Sequence, residues 1–145
     1  IYAFMGFTII KNISIKNYLK GRDKHLNETK YVSKPYKVTQ EFINKFAKAS
    51  GGYGKIHVDP EHAKNTKFKG TLAHGFHLLS LIEKELTVLL PRSKSIGLLE
   101  VKFIKPVKVE QSIKVCCEQD SKENQLIVSI INENNEIAVI GTAFI

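Results

Sequence analysis

Four of the five histidines, His57, His62, His74 and His77, lie between residues 49 and 90. Imidazole ordinarily titrates near neutrality, so it is the side chain most often used to take and return a proton. His57 follows a glycine-rich turn, Ser50-Gly51-Gly52-Tyr53-Gly54, and precedes Asp59-Pro60. His74-Gly75 opens a long apolar run. His74 and His77 stand three residues apart, on one side of any helix that carries them. His57, Asp59, His74 and His77 are of metal-ligand type, but no compact spacing joins them, so no metal is expected. His62 and His25 read as surface residues. Acid–base chemistry is therefore expected within this stretch.

The elements that position these groups can be read from pattern. Tyr31 to Val38 contains Pro35 and reads as extended chain, with Tyr36-Lys37-Val38 a short strand. Thr39 suits a helix N-cap, with Glu41 in the first turn. Phe42, Ile43, Phe46 and Ala47 give the following helix one apolar face, and Ser50-Gly51-Gly52 stops it. Residues 51–73 read as a long irregular connection, with a short helical turn starting at Pro60-Glu61; such connections tend to be functional. The central helix is expected over residues 74–90. Its apolar residues cover most of the circumference, which predicts burial on several sides, and Glu83, Lys84 and Glu85 mark its wet strip. Strands follow over Ser95–Ile104, Val109–Cys117, Leu126–Ile131 and Glu136–Ile145, read as four hairpin-linked strands with turns at Asp120–Asn124 and Asn132–Asn135. The class is α+β: a four- or five-stranded antiparallel sheet packed on one buried helix. Such a sheet leaves edges open, and pairing them in a homodimer is the expected cure.

At 145 residues the chain fits one domain, 1–145, with a weakly patterned N-terminal extension over 1–30 that includes a polar turn at Lys20–Lys24. No apolar run approaches the ~20 residues of a membrane span. The apolar start, IYAFMGFTII, has its lysines after it rather than before, which is not the order of a signal peptide. The adjacent Cys116 and Cys117 would point to opposite faces of a strand, and read as small apolar residues of a reducing cytoplasm. The net charge of +8 invites a nucleic-acid reading. The lysines are scattered, however, and no zinc-finger or RNP-type pattern is present. A solvated Lys-rich surface and attraction for a small anionic ligand arm both fit the charge, which does not choose between them; no nucleic acid and no membrane partner is expected.

The segment Ser50-Gly51-Gly52-Tyr53-Gly54-Lys55-Ile56-His57-Val58-Asp59-Pro60 resembles the signature of MaoC-like dehydratases and (R)-specific enoyl-CoA hydratases, roughly S-G-D-x-N-P-I-H-x-D. The match continues through Phe68-Lys69-Gly70-Thr71-Leu72-Ala73-His74-Gly75 and on to Ser80-Leu81-Ile82. Val101-Lys102-Phe103-Ile104-Lys105-Pro106-Val107 resembles that family's V-x-F-x-x-P-V strand. The resemblance covers about residues 37–115 and implies the hotdog fold, a curved antiparallel sheet wrapped around a long central helix, usually dimeric. It also implies syn hydration of a trans-2-enoyl thioester, or the reverse dehydration. The thioester is the substrate, carried by CoA or an acyl carrier protein, and no cofactor is needed. In that family an Asp and a His hold and activate a water. A backbone N–H at the start of the central helix polarises the thioester carbonyl, where the helix dipole meets developing negative charge.

Carried over by position, the resemblance makes His57 the catalytic histidine, sets Gly75 at the carbonyl-polarising helix start and puts Ser80 on the helix wall of the site. It gives the loop residues Gly52, Tyr53, Gly54 and Ile56 to substrate binding. Gly52 holds the place of the dyad Asp, Gly54 that of the usual Asn, Lys55 that of the usual Pro, and Glu110-Gln111 that of a common Gly-Asp. Asp59 and His74 are the candidates to partner His57 instead. An extended chain would put Asp59 on the same face as His57. Asp59 equally suits an N-cap, and His74 a backbone hydrogen bond at the helix start. A MaoC-like hydratase or dehydratase is the leading reading. A hotdog thioesterase and a non-catalytic acyl-CoA-binding or degenerate subunit are the alternatives.

Overall fold

The computed structural model describes residues 30–120 and 124–145. The N-terminal extension up to residue 29, with its turn at Lys20–Lys24 and His25, lies outside the described residues, as does the middle of the turn after Asp120. Two short strands come first, β1 (Lys30–Val32) and β2 (Tyr36–Lys37). Helix α1 (Gln40–Ser50) follows, then the short helices α2 (Lys55–Val58) and α3 (Pro60–Lys64), then the central helix α4 (Gly75–Leu89). Strands β3 (Leu98–Phe103), β4 (Ser112–Gln119), β5 (Gln125–Asn132) and β6 (Ile137–Phe144) complete the order.

The sheet is antiparallel, in the order β1-β4-β5-β6-β3, with β2 also paired to β4. Alternation along its strands turns Ile113, Val115 and Cys117 of β4 and Leu126, Val128 and Ile130 of β5 into the core. Against them α4 lays Leu78, Leu81, Ile82, Leu86 and Leu89, a stripe at i, i+3, i+4, i+8 and i+11. Burying each such side chain contributes about 1.5–3 kcal/mol, so this layer is the main source of stability. The α+β arrangement expected from the sequence is therefore present.

Several details differ from expectation. Among the described residues the sheet has six strands. β3 does not form a hairpin with β4: residues 104–111 carry the chain across the sheet to β4, which lies between β5 and the short strands β1 and β2, and β3 pairs with β6 instead. Gly141 makes that pairing possible, because a Cβ there would stand 2.0 Å from the Glu100 carbonyl oxygen. The central helix is buried along one stripe only, and Phe76 on its other side is 57% exposed. Glu85 does not belong to the wet strip. It is 8% exposed, and Tyr31 and Tyr36 donate their hydroxyls to its two oxygens. The buried carboxylate is thus paired, which is the condition for keeping a charge in a core. Burial, reinforced by the bond to Glu85, pushes Tyr36 up to about 12 and raises Tyr31 as well. The 51–73 connection is not irregular throughout, since it contains both α2 and α3.

Candidate active site

The loop holding His57 starts where α1 ends. Thr39 Oγ1 caps α1 by accepting from Phe42 N at 3.0 Å. Gly51 terminates it in the left-handed region, φ 75°, donating its N–H to Ala47 O. Nothing stands within 4 Å of a Cβ at Gly51, so it is the backbone conformation that calls for glycine there. The Ser50 hydroxyl then accepts from Gly52 N at 3.2 Å and donates to Phe46 O, which tightens the turn.

One turn of helix, α2, carries His57. It is tied to the segment ahead of α4 at two points: Leu72 N donates to Ile56 O at 3.1 Å, and His57 Nδ1 donates to Leu72 O at 2.8 Å. Gln40 of α1 reaches both sides of this junction, donating to His57 O and accepting from the buried Thr71 hydroxyl. A carbonyl only accepts, so the Leu72 bond assigns the proton of neutral His57 to Nδ1 and leaves Nε2 with a free lone pair.

His74 stands at the N-cap of α4, 7% exposed, and its side chain does not cap the helix. Its Nε2 donates instead to Gly52 O at 2.7 Å. Its ring lies on that of His57, with centroids 3.9 Å and planes 21° apart. Phe46 touches His74 at 5.0 Å and stacks on His77 at 4.5 Å, and His77 stacks on Phe42 at 3.9 Å. Five rings from α1, α2 and α4 therefore form one continuous column. Burial lowers the pKa of His74, opposed by the Gly52 bond and reinforced by His57. Burial, with His74 beside it, holds His77 down to about 4. Both imidazoles are neutral at neutral pH.

These groups border a cleft of about 390 Å³, within the range of small-ligand sites. Its polar side chains are Ser50, His57 and His74; its apolar walls are Phe46, Phe76, Leu79 and Phe103. Gly75, the first residue of α4, lies at its edge, and a Cβ there would come 3.0 Å from the Phe103 ring. The helix start thus brings uncapped N–H groups and the positive dipole end to the same cleft as the His57 imidazole.

Of the residues named from sequence, His57, His74, Gly75 and Gly52 meet at the cleft. Gly54 sits beside it, since a Cβ there would come 3.3 Å from His57 Cδ2. Ile56 serves through its carbonyl. Tyr53 is 61% exposed and does not line the cleft. Asp59 does not share an extended face with His57. It is the N-cap of α3, and its Oδ1 accepts from His62 N at 2.9 Å. Ser80 is exposed, its hydroxyl donating to His77 O at 2.7 Å, and is not among the lining residues. Sequence reading missed Ser50, Phe46, Phe76, Leu79 and Phe103 as walls. Phe46 was visible as part of the apolar face of α1, but which way that face turned was not.

Comparison with known proteins gives a consistent picture. The family described as "MaoC like domain" matches residues 23–138. The 3-hydroxyacyl-thioester dehydratase Z of Mycobacterium tuberculosis is 49% identical over 47 residues, which is 32% of this chain and 31% of that protein. The matched stretch therefore spans about a third of the relative's length. The R-hydratase PhaJ1 of Pseudomonas aeruginosa superposes with a TM-score of 0.70 at 27% identity, over 79% of this chain and 76% of that one. The (R)-hydratase of A. caviae involved in PHA biosynthesis superposes with a TM-score of 0.68 at 25% identity, over 83% and 96% of the two chains. The fold is the hotdog fold of these hydratases.

Proposed function

We propose that this chain, which belongs to the MaoC-like domain family, adds water to an enoyl thioester or removes it from a 3-hydroxyacyl thioester. The observation that carries this reading is that His57, its Nδ1 held by the Leu72 carbonyl, lines the same cleft as the start of α4, whose first N–H groups have no side-chain cap. In the hydration direction, His57 Nε2 takes a proton from a water molecule as the water oxygen bonds to Cβ. The Cα–Cβ π electrons move toward the thioester carbonyl, whose oxygen gains negative charge. The N–H groups at Gly75 and Phe76 and the helix dipole stabilise that charge. The enolate then takes the same proton from His57 at Cα, and one water has been added overall. Dehydration is the reverse. Among the described residues the cleft lining contains no carboxylate, and a single imidazole performs both transfers.

The apolar walls suit the acyl chain, and the net charge of +8 suits either CoA phosphates or an acidic carrier protein. The active form is a homodimer joined along the outer edge of β3, which has no strand partner beyond β6 among the described residues. An unpaired edge of this kind invites a second copy.

The test is the loss of enoyl absorbance when purified protein meets crotonyl-CoA and longer trans-2-enoyl-CoAs. Turnover is expected, with a fall of about 10²–10⁴-fold in His57→Ala. No turnover above buffer at any chain length would sink the reading. A thiol reagent in the same tube separates hydration from thioester hydrolysis, and CoA binding without turnover would indicate a binding module.

A further inference from the structure

Gly52 contributes no side chain to the cleft, yet the space beside it is filled. A Cβ on Gly52 would stand 3.1 Å from His74 Cδ2, His74 Nε2 and Ser50 Oγ. The His74 ring therefore occupies the space into which a side chain at position 52 would project. The ring is held there from three directions. Its Nε2–H is taken by the Gly52 carbonyl at 2.7 Å. One face lies on His57 at 3.9 Å. Phe46 meets it at 5.0 Å and is itself stacked on His77.

We propose that His74 is a positioning residue: a neutral imidazole that fixes the plane of the His57 ring and so aims His57 Nε2 into the cleft. The deduction extends the reading of His57 as the base, and rests on that reading only for its kinetic part.

The geometry gives His74 this task rather than proton transfer. Its Nε2–H is already donated, and its Nδ1 is buried without a hydrogen-bond partner. A second proton on Nδ1 would make a buried cation with no acceptor, which is costly. His74 therefore stays neutral and offers His57 a flat π face. When His57 takes the water proton, its imidazolium lies against an uncharged ring rather than a competing cation. The Leu72 carbonyl selects which nitrogen of His57 is protonated, and the His74 face keeps the ring turned so that this bond holds and the other nitrogen keeps its direction. A ring free to rotate about its own bond would keep its basicity and lose its aim, and misplacement on the order of 1 Å costs about 10²-fold in rate.

The experiment compares the wild type with His74→Leu and His74→Phe. Leu fills the space without a planar face, whereas Phe keeps the face and loses only the Gly52 bond. Two readouts are taken: kcat and KM on crotonyl-CoA, and the ring ¹⁵N shifts of His57, which report its tautomer and exchange. The wild type is expected to show His57 protonated at Nδ1 and His74 at Nε2. His74→Leu is expected to lower kcat about 10²-fold with little change in KM, and to average the His57 nitrogens between tautomers. His74→Phe is expected to recover kcat to within about tenfold of the wild type and to restore the Nδ1–H signature, since it lacks one hydrogen bond. The proposal is overturned if His57 in a folded His74→Leu keeps its wild-type nitrogen shifts, whatever happens to kcat. Should His74→Leu not fold, His74→Ala is read by the same two criteria. The nitrogen shifts are measured without substrate, so they decide the positioning role even if no hydratase activity is found.

Discussion

Tyr36 on β2 donates its hydroxyl to a carboxylate oxygen of Glu85 in the middle of α4, and Tyr31 on β1 donates to the other oxygen. Two short edge strands are thereby fastened to the central helix through one buried charge. Hydrogen bonds to charged groups contribute about 1.5–3 kcal/mol, so Tyr36→Phe is expected to destabilise the fold by that amount in urea unfolding. Glu85→Ala should cost more, because it leaves two half-buried hydroxyls without an acceptor. Combining Glu85→Leu with Tyr31→Phe and Tyr36→Phe should recover most of the loss, as apolar replacement of a whole buried polar group often does. Alkali gives a second readout. The folded Tyr36 holds its proton up to about 12 against 10.0 ordinarily, so its contribution is whole below pH 10 and is lost as pH rises toward 12. Tyr36→Phe should flatten that alkaline decline.

His77 predicts the acid side. Unfolded, it takes a proton near its ordinary 6.5; folded, between Phe42 and Phe46, it resists until about 4. The unfolded chain binds more protons in that window, so stability falls as pH drops from 6.5 toward 4. His77→Phe keeps the aromatic stack and removes this loss. Its unfolding free energy should match the wild type near neutrality and exceed it below pH 6. His74, whose pKa is also lowered by burial, retains a decline of the same sign in both proteins.

Gly141 tests the strand crossing. It pairs with Val101, and a Cβ would fall 2.0 Å from Glu100 O, 2.8 Å from Val101 Cα and 2.9 Å from Val101 Cγ1. Backbone atoms offer no flexible end that could move aside. Gly141→Ala is therefore expected to cost about 3 kcal/mol or more, at the upper end of overpacking effects, or to leave only insoluble chain. Val101→Ala should not rescue it, because the closest clash is with a carbonyl.

The proposed dimer makes a prediction about charge. If β3 pairs antiparallel with its own copy around a two-fold axis at Val101, Glu100 faces Lys102 of the second copy at both ends of the pair. Glu100→Lys and Lys102→Glu should each weaken the dimer, measured as a rise in dissociation constant by sedimentation. Mixing the two variants should restore association, since every facing pair then has opposite charges. The effect should shrink with added salt, as expected for exposed pairs. Restoration that fails in the mixture would rule out this register.

Much of this architecture was legible in the sequence. Thr39, Gly51 and the apolar face of α1 followed from capping preference and helical period, because those are local rules. Glu85 shows where residue type misleads. Its position, three after Ile82 and four after Leu81, lies on the buried stripe, and the period predicts its place better than its charge does. Its partners are about fifty residues away, so nothing local announced them. The helices α2 and α3 have only four and five residues and hence no readable period. At the site, His57 and His74 were both visible as candidates. Sequence offered His74 either as partner of His57 or as donor to a backbone carbonyl; the structure joins the two, a stacked contact with His57 and a bond to the Gly52 carbonyl, and which carbonyl that would be had no local signature. Asp59 was read two ways, and the cap prevailed because the chain between it and His57 is helical.

The position of β6 has a consequence for how the protein is made. This strand lies between β5 and β3, so β3 has no partner until residues 137–144 exist. During synthesis, β3 leaves the ribosome more than thirty residues ahead of the strand that pairs with it. The cleft wall at Phe103, carried on β3, then waits in a nascent chain without its strand partner. Such delayed, long-range closure is slow and prone to aggregation. A chain cut just before Ile137 would therefore be expected to engage chaperones rather than fold, although every residue of the histidine column would already be present.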